Sequence, residues 1–417
     1  MSVNSMPKEN KMGTMPVKKL IFNMALPLII SMLIQALYNI VDSIFVSRIS
    51  EDALTAVSLV FPVQNLMIAF ATGTGVGMNA LLSRRLGEKN REAAEEVANV
   101  GLLLSICTAV VFALFGVFGS QLYFSMQKGV SPIIAEYGAQ YLSIVCIGSI
   151  GIFVEITAER MLQGTGQTLI TMFIQGIGAI INIILDPIMI FGLLGCPAMG
   201  VRGAAYATII GQLVAAVLGI VLNQKHNTDV RVNLKKIRFN FPIIGEIYAI
   251  GLPSVIMIAI GSVMTFLMNK ILITYHAAHE TAATAFGAYF KLNSFIFMPV
   301  FGMNNGVVPI VAYNYGARNR KRMVETIKRG ALYGQYDDGE RYAYFCKAVM
   351  EMLRQIDWYP DILHAHDWQS ALSVVYLKTR YASDPAYAGI RSVFTIHNIE
   401  YQGKYSFSIL GLSLIHI

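Results

Sequence analysis

The run LIFNMALPLIISMLIQALYNIVDSIFV, Leu20–Val46, holds no basic residue and a single acidic one, Asp42. About 20 predominantly apolar residues at a 1.5 Å rise cross the hydrocarbon core of a bilayer. The run therefore reads as a membrane-spanning helix. Seven more apolar runs follow: Ala56–Leu82, Ala98–Leu122, Ile133–Thr157, Thr168–Leu194, Gly203–Leu222, Ile243–Ile273 and Ala283–Tyr313. Several exceed one crossing, which predicts tilt or interfacial ends. The chain of 417 residues is 55% hydrophobic and 14% charged, with mean hydropathy +0.55, whereas soluble domains carry about 25% charged residues. The net charge of +7 sits in short basic clusters between the runs. That pattern excludes a nucleic-acid partner and makes the lipid bilayer the chain's surroundings.

The links between runs alternate in charge. Lys8, Lys11, Lys18 and Lys19 precede the first run, and Arg84, Arg85, Lys89 and Arg91 follow the second. Arg160 follows the fourth, and Lys225, Arg231, Lys235, Lys236 and Arg238 follow the sixth. Arg318, Arg320, Lys321, Arg322, Lys328 and Arg329 follow the eighth, while the intervening links are nearly bare. The positive-inside rule puts the N-terminus and the even-numbered links in the cytoplasm, in a multi-pass protein of the cytoplasmic membrane. The polar start, Met1–Val17, has no apolar stretch with a cleavage site, so no secretory signal is read. Cys107, Cys146, Cys196 and Cys346 show no metal or redox spacing.

An internal repeat organises the runs. Leu26-Pro27 recurs as Leu252-Pro253, and Ala53-Leu54-Thr55-Ala56 recurs loosely as Ala282-Ala283-Thr284-Ala285. Arg85-Leu86-Gly87-Glu88-Lys89-Asn90-Arg91 recurs as Asn314-Tyr315-Gly316-Ala317-Arg318-Asn319-Arg320. Six helices separate the copies, so both keep one orientation, as in transporters built from parallel repeats. The expected fold is an all-α polytopic membrane protein, one six-helix bundle plus two helices of a second, followed by a short α/β, Rossmann-like fragment. The expected divisions are a cytoplasmic segment at 1–19, the bundle at 20–223, a basic linker at 224–241, the start of a truncated second bundle at 242–330, the α/β fragment at 333–405 and a tail at 406–417.

After Arg329 the composition becomes that of a soluble protein. Phe345, Val349, Met352 and Leu353 fall at helical spacing. Asp361–His364 and Arg391–Ile396 read as short buried strands, with a helix at Gln369–Lys378 between them. His366, Asp367 and His397 fall at the ends of these strands, where open α/β sheets bind ligands. The cluster suits a sugar or phosphate as well as a metal.

Chemistry in the apolar region centres on carboxylates. Asp42 lies inside the first run with four apolar or small residues still to come, and intramembrane acids mark ion or proton sites. Asn182 and Asp186 are four apart, hence on one helix face. A carboxylate beside a carboxamide can hold a proton or gather oxygens around Na⁺. Pro187 lacks the N–H that would bond the carbonyl one turn back. Tyr206 and Thr208 in the sixth run are candidates to join this site. Gln35, Asn39, Gln64 and Asn65 are candidate substrate-cavity groups. Gly73-Thr74-Gly75-Val76-Gly77 lacks the strand and the Lys-Ser/Thr of a phosphate loop and reads as close helix packing. Glu155 and Glu159, beside Arg160, read as a solvated pair, and His276 and His279 as surface residues.

Asn39–Ser43, Leu81–Gly87, Met161–Thr168, Asn182…Asp186-Pro187…Phe191-Gly192 and Gly200–Thr208 form a set of motifs spread over residues 15–330. With them this region resembles the MATE family of multidrug and toxic-compound extrusion transporters. It implies twelve helices in two bundles and H⁺- or Na⁺-driven antiport of amphipathic, often cationic compounds by a monomer without cofactors. It also implies a cation-responsive site formed by Asp42, Asn182, Asp186 and Thr208. The segment Tyr333–Tyr405 resembles bacterial glycogen (starch) synthases through Asp337–Arg341, Pro360–Trp368 and Phe394–Gly403. That resemblance would set His397 near an ADP-glucose site. The Lys-Thr-Gly-Gly segment and the nucleotide-binding domain of that family are missing, so no catalysis is expected from the fragment. Leu412–Ile417 resembles a translated sequencing adapter, and the two regions read as joined near Ala331–Gly334. The alternatives are a membrane-anchored glycosyltransferase making α-1,4-glucan and a lipid or polysaccharide flippase of the same superfamily.

Overall fold

The structure, a computed structural model, describes residues 10–127, 130–233, 237–275, 281–330 and 338–397. It comprises two units, Met1–Gly330 and Ala331–Ile417. The join at 331–334, His276, His279 and the adapter-like end lie outside the described residues.

The first unit is helical. A short α1 (Lys11–Thr14) precedes α2 (Val17–Ser47), α3 (Glu51–Gly87), α4 (Arg91–Phe118) and a one-turn α5 (Ser120–Ser125). Then come α6 (Pro132–Ile147), α7 (Ile150–Gly164), α8 (Thr168–Phe191) and α9 (Val201–His226). The unit ends with α10 (Phe241–Tyr275), α11 (Thr281–Gly316) and α12 (Arg320–Gly330). Among the described residues six helices are long and apolar enough to cross a membrane, α2, α3, α4, α8, α9 and α10, with α6 and α7 together making a seventh. Outward-facing Val110, Val111, Leu114, Val117 and Phe118 on α4, and Ile256, Met257, Ile260 and Val263 on α10, form the apolar exterior such a protein turns to lipid.

The local signals explain the boundaries. Ser50 accepts the amide of Ala53 and starts α3, with Glu51 and Asp52 complementing the helix dipole. Ser131 caps α6, with Pro132 at the first turn. Two expectations need correction. The run Ile133–Thr157 is not one straight span: α6 and α7 meet at a 47° bend. The Ser149 hydroxyl leaves its own helix and donates to Ala109 O of α4 at 3.1 Å, which anchors the break. The run Ala98–Leu122 likewise ends early, at Phe118, because Gly119 separates α4 from α5.

The links predicted to share one side do so. Asn10 Nδ2 donates to Thr165 O (3.0 Å) and to Asp229 Oδ2 (2.8 Å). Arg91 pairs with Asp229, Arg85 with Glu246, and Arg322 Nη2 donates to Met12 O. The N-terminus and the basic links thus form one end of the unit.

The repeat is visible in the backbone. Lys89 and Arg318, at equivalent repeat positions, both take left-handed conformations, with φ of 61° and 54°. The asparagines that follow cap the next helices: Asn90 accepts the Ala93 amide and Asn319 that of Arg322. The repeat glycines are reciprocal. A Cβ on Gly87 would lie 2.0 Å from Tyr313 O of α11, and one on Gly316 would lie 2.1 Å from Arg84 O of α3. Gly73 and Gly77 face the α10 backbone at Val255 and Ile247, so the glycine stretch serves close packing as expected.

The second unit consists of α13 (Asp338–Gln355), β1 (Ile362–His366), α14 (Asp367–Lys378) and β2 (Arg391–Thr395). The strands pair in parallel, Ile362 opposite Arg391 and His366 opposite Thr395, which makes a single β-α-β unit. The expected helix forms, but its buried face is Ala343, Cys346, Met350 and Leu353, whereas Phe345 and Met352 are exposed. Tyr376, Tyr381 and Tyr387 cover that face and set its rotation. The strands are not buried as expected: Ala365 alone of the ten strand residues is. With two strands and one helix row, the described residues do not supply the two-sided cover of a doubly wound sheet.

Candidate functional site

Four side chains predicted from sequence converge in the interior of the first unit. Asp42 on α2 is 7% exposed, Asn182 and Asp186 on α8 are 3% and 0% exposed, and Thr208 on α9 is 9% exposed. Asn182 is the hub. Its Nδ2 donates to Asp186 Oδ1 at 3.5 Å and to Thr208 Oγ1 at 3.4 Å, and the Thr208 hydroxyl donates to Ala204 O of its own helix. Asp42 and Asp186 interact electrostatically across the α2–α8 contact. The approach of α8 to α9 depends on small residues. A Cβ on Gly211 would meet Gly178 O at 2.9 Å and the Asn182 Cβ at 3.3 Å.

The chemistry follows from what is left over. Asn182 Oδ1 and Asp186 Oδ2 are buried without a hydrogen-bond partner, and such acceptors are costly unless something fills them. Two carboxyl groups and a carboxamide, all acceptor-rich, suit a proton or a monovalent cation. Pro187, inside α8, has no N–H for the Ile183 carbonyl, which adds a further acceptor one turn from the site.

Sequence reasoning missed Tyr141 on α6. Its ring is buried, its hydroxyl accepts from Gln64 Nε2 at 3.4 Å, and it lies within electrostatic reach of Asp42 and Asp186. The available signal was a phenol inside an apolar run, since a buried tyrosine hydroxyl usually has a partner. Tyr38 on α2, half-buried, faces the same carboxylates. Gln35, Asn39, Gln64 and Asn65 are half-buried. Asn39 Nδ2 donates to Gln35 O of its own helix at 2.9 Å, whereas Asn65 Nδ2 reaches Ser262 Oγ of α10 at 2.8 Å. Asn65 therefore faces the contact between the two halves.

Two expectations are overturned. Tyr206 does not join the site: it is 42% exposed and lines a surface cleft with Gln140 and Arg202. Glu155 and Glu159 are not a solvated pair: both lie within α7, where Glu159 and its neighbour Arg160 are each 6% exposed and Glu155 is half-buried. Packing of α7 against α3, α4 and α9 encloses Glu159 and Arg160.

In the second unit the three predicted residues meet at the C-terminal ends of the strands. His366 Nδ1 and His397 Nε2 are 2.9 Å apart with their rings stacked, and the His397 amide donates to Asp367 Oδ1 at 2.7 Å. Asp367 takes a left-handed conformation, φ 52°, a cost typical of ligand-binding turns. The imidazoles are exposed.

Residues 27–188 match the family MatE, and residues 257–416 match the starch synthase catalytic domain. The second match begins within α10 and runs through α11 and α12 before it reaches the second unit. An FAD transporter of Shewanella oneidensis is 30% identical over 75% of this chain and 68% of its own length. The multidrug export protein MepA of Staphylococcus haemolyticus is 28% identical over 74% of this chain and 67% of its own. The chain thus spans about two thirds of these relatives. Among solved structures, a MOP superfamily transporter of Pyrococcus furiosus Vc1 superposes at TM-score 0.72 with 27% identity, over 92% of this chain and 79% of that one. An outward-facing multidrug resistance MATE family transporter gives TM-score 0.71 with 26% identity over the same shares.

Proposed function

Because the chain belongs to the MatE family, we propose that it is a multidrug efflux antiporter of the cytoplasmic membrane in which Asp42, Asn182, Asp186 and Thr208 respond to the driving cation, H⁺ or Na⁺. The observation that carries the reading is the buried carboxamide of Asn182, joined to both Asp186 and Thr208, with acceptor oxygens left over at Asn182 and Asp186. Uptake of a cation there changes the charge of a dry site, which is the event an antiporter must couple to movement of its two halves. The gathering of the N-terminus with the basic links supports a cytoplasmic N-terminus. The exporter acts as a monomer on small amphipathic compounds and needs no cofactor.

A second cargo class is favoured by the Shewanella relative, whose name gives FAD as its substrate. Proteoliposomes of the full chain, given a pH or Na⁺ gradient, separate the two by counter-transport of a lipophilic cationic dye against that of FAD. Asp42→Asn should abolish gradient-driven counter-transport. Wild-type rates in that variant would remove Asp42 from the mechanism.

For the second unit we propose no glycosyl transfer, since among the described residues its sheet has two strands, only one of whose ten residues is buried, and its His366–Asp367–His397 cluster is exposed. Incorporation of glucose from ADP-glucose into glucan by the full chain would overturn this.

A further inference from the structure

The link between α11 and α12 carries arginines that the site described above does not use. They border a cavity of about 460 Å³ where the two repeats cross. The crossing is tight. A Cβ on Gly316 would stand 2.1 Å from Arg84 O, and one on Gly87 would stand 2.9 Å from Ala317 N. The end of α3 therefore meets the chain just before Arg318. Arg84 of α3 reaches across the contact, with its Cζ 5.4 Å from the centroid of the Tyr315 ring. Arg84, Arg318 and Arg320 all line the cavity, and Glu88 is the one carboxylate among its lining residues.

Glu88 does not neutralise the far side. Its Oε1 accepts from Arg84 Nε at 2.9 Å and its Oε2 from Arg85 Nη1 at 3.2 Å, so both oxygens are engaged by α3 itself. Arg318 and Arg320 hold no side-chain hydrogen bond or ion pair among the described residues. The other copy of the repeat differs: Arg91, the equivalent of Arg320, pairs with Asp229 at 3.0 Å. Three guanidinium groups against one carboxylate leave two positive charges around one concavity, and such charges repel unless an anion enters.

We propose that this cavity binds a phosphate group, held by Arg318 and Arg320 of one repeat and Arg84 of the other. The planar fork of a guanidinium matches two phosphate oxygens at once. A phosphate monoester carries about two negative charges near neutral pH, which matches the excess. The volume falls within the roughly 300–1,000 Å³ of small-ligand sites. The cavity lies at the end where the basic links gather, and both soluble phosphates and the headgroups of anionic lipids present this chemistry there. The inference stands on the arginines and the cavity and does not require the transport reading.

The purified full chain in lipid nanodiscs tests it through the thermal midpoint, followed by helical circular dichroism. Ionic strength is held constant, because salt screens exposed charges. In phosphatidylcholine discs, exchange of chloride for inorganic phosphate should raise the wild-type midpoint, as a ligand of the native state does. Arg318→Gln/Arg320→Gln should lose the rise, with the apparent phosphate affinity falling about tenfold or more. Its midpoint in chloride should equal or exceed that of wild type, since two exposed charges leave a repulsive cluster. Lys225→Gln/Lys321→Gln removes the same charge from exposed positions outside the cavity and should keep the rise. A rise with inorganic phosphate assigns the group to a soluble phosphate. A rise only on adding phosphatidylglycerol to the discs, again lost in the arginine variant alone, assigns it to a lipid headgroup. No arginine-dependent rise with either would overturn the proposal. So would a rise that the lysine variant loses equally, which belongs to the basic surface as a whole.

Discussion

Adding one methyl group at Gly316 probes the contact between the two repeats. In Gly316→Ala the new Cβ stands 2.1 Å from Arg84 O and 2.9 Å from the Arg84 carbonyl carbon. Both are backbone atoms, so no side chain can rotate away, and α3 and α11 must separate. Overpacking of this kind costs about 1–3 kcal/mol. At about 1.4 kcal/mol per factor of ten, the folded-to-unfolded ratio should fall roughly 5- to 160-fold. Gly87→Ala meets Tyr313 O at 2.0 Å, the same crossing from the other side. Once one alanine has forced the helices apart, the second finds room, so the double variant should lose less than the sum of the singles. Gly245→Ala is the control. It lies within α10 with nothing within 4 Å of its Cβ position, and alanine there should stabilise by about 0.8–1 kcal/mol through helix propensity. Unfolding of the purified chain in mixed micelles, followed by helical circular dichroism, measures all four. Losses below about 0.5 kcal/mol for both Gly87→Ala and Gly316→Ala, or strict additivity between them, would refute the reciprocal packing.

Asn182→Leu keeps the side chain's approximate size but withdraws the donor shared by Asp186 and Thr208. It should cost about 1–3 kcal/mol and erase any rise in thermal midpoint on acidification or Na⁺ addition, because a cation that binds the native state stabilises it. An undiminished rise would separate Asn182 from cation binding. In the second unit, the Ala386 amide and then Arg354 hold the Asp384 carboxyl below the usual carboxylate range. A lowered carboxyl contributes stability above its unfolded pKa and loses it as pH falls through its native value. Wild type should therefore be more stable than Asp384→Asn near neutrality, with the gap closing in acid. Trp358 and Trp368, the chain's two tryptophans, both lie in that unit, so urea unfolding followed by tryptophan fluorescence reads it alone. A gap independent of pH would remove Asp384 from the acid response.

The site was legible in part because membrane chemistry makes polar residues conspicuous. Asp42, Asn182 and Asp186 stand out in apolar runs whatever the helices do next, and the four-residue spacing of the last two is a local fact. Tyr141 and Tyr38 were not legible, because tyrosine is common in apolar segments and its role depends on which helix its hydroxyl meets. Gln64 and Asn65 show the same limit: adjacent in sequence, one turns to Tyr141 of α6 and the other to Ser262 of α10. In the second unit the elements were legible but the faces were not, since tyrosines far along the chain choose which side of α13 is covered.

The amino-acid sequence alone determined the membrane class, the number of long apolar runs, the repeat and the singling-out of Asp42 and Asp186, because hydrophobic length, charge alternation and residue chemistry are properties of the chain itself. Tertiary structure alone decided what surrounds each polar group. Glu159 and Arg160, at the edge of a link by the sequence reading, are buried because α7 packs against α3, α4 and α9. Burial is a property of neighbours, and neighbours from α3, α4, α8 and α9 are fixed only when the helices pack.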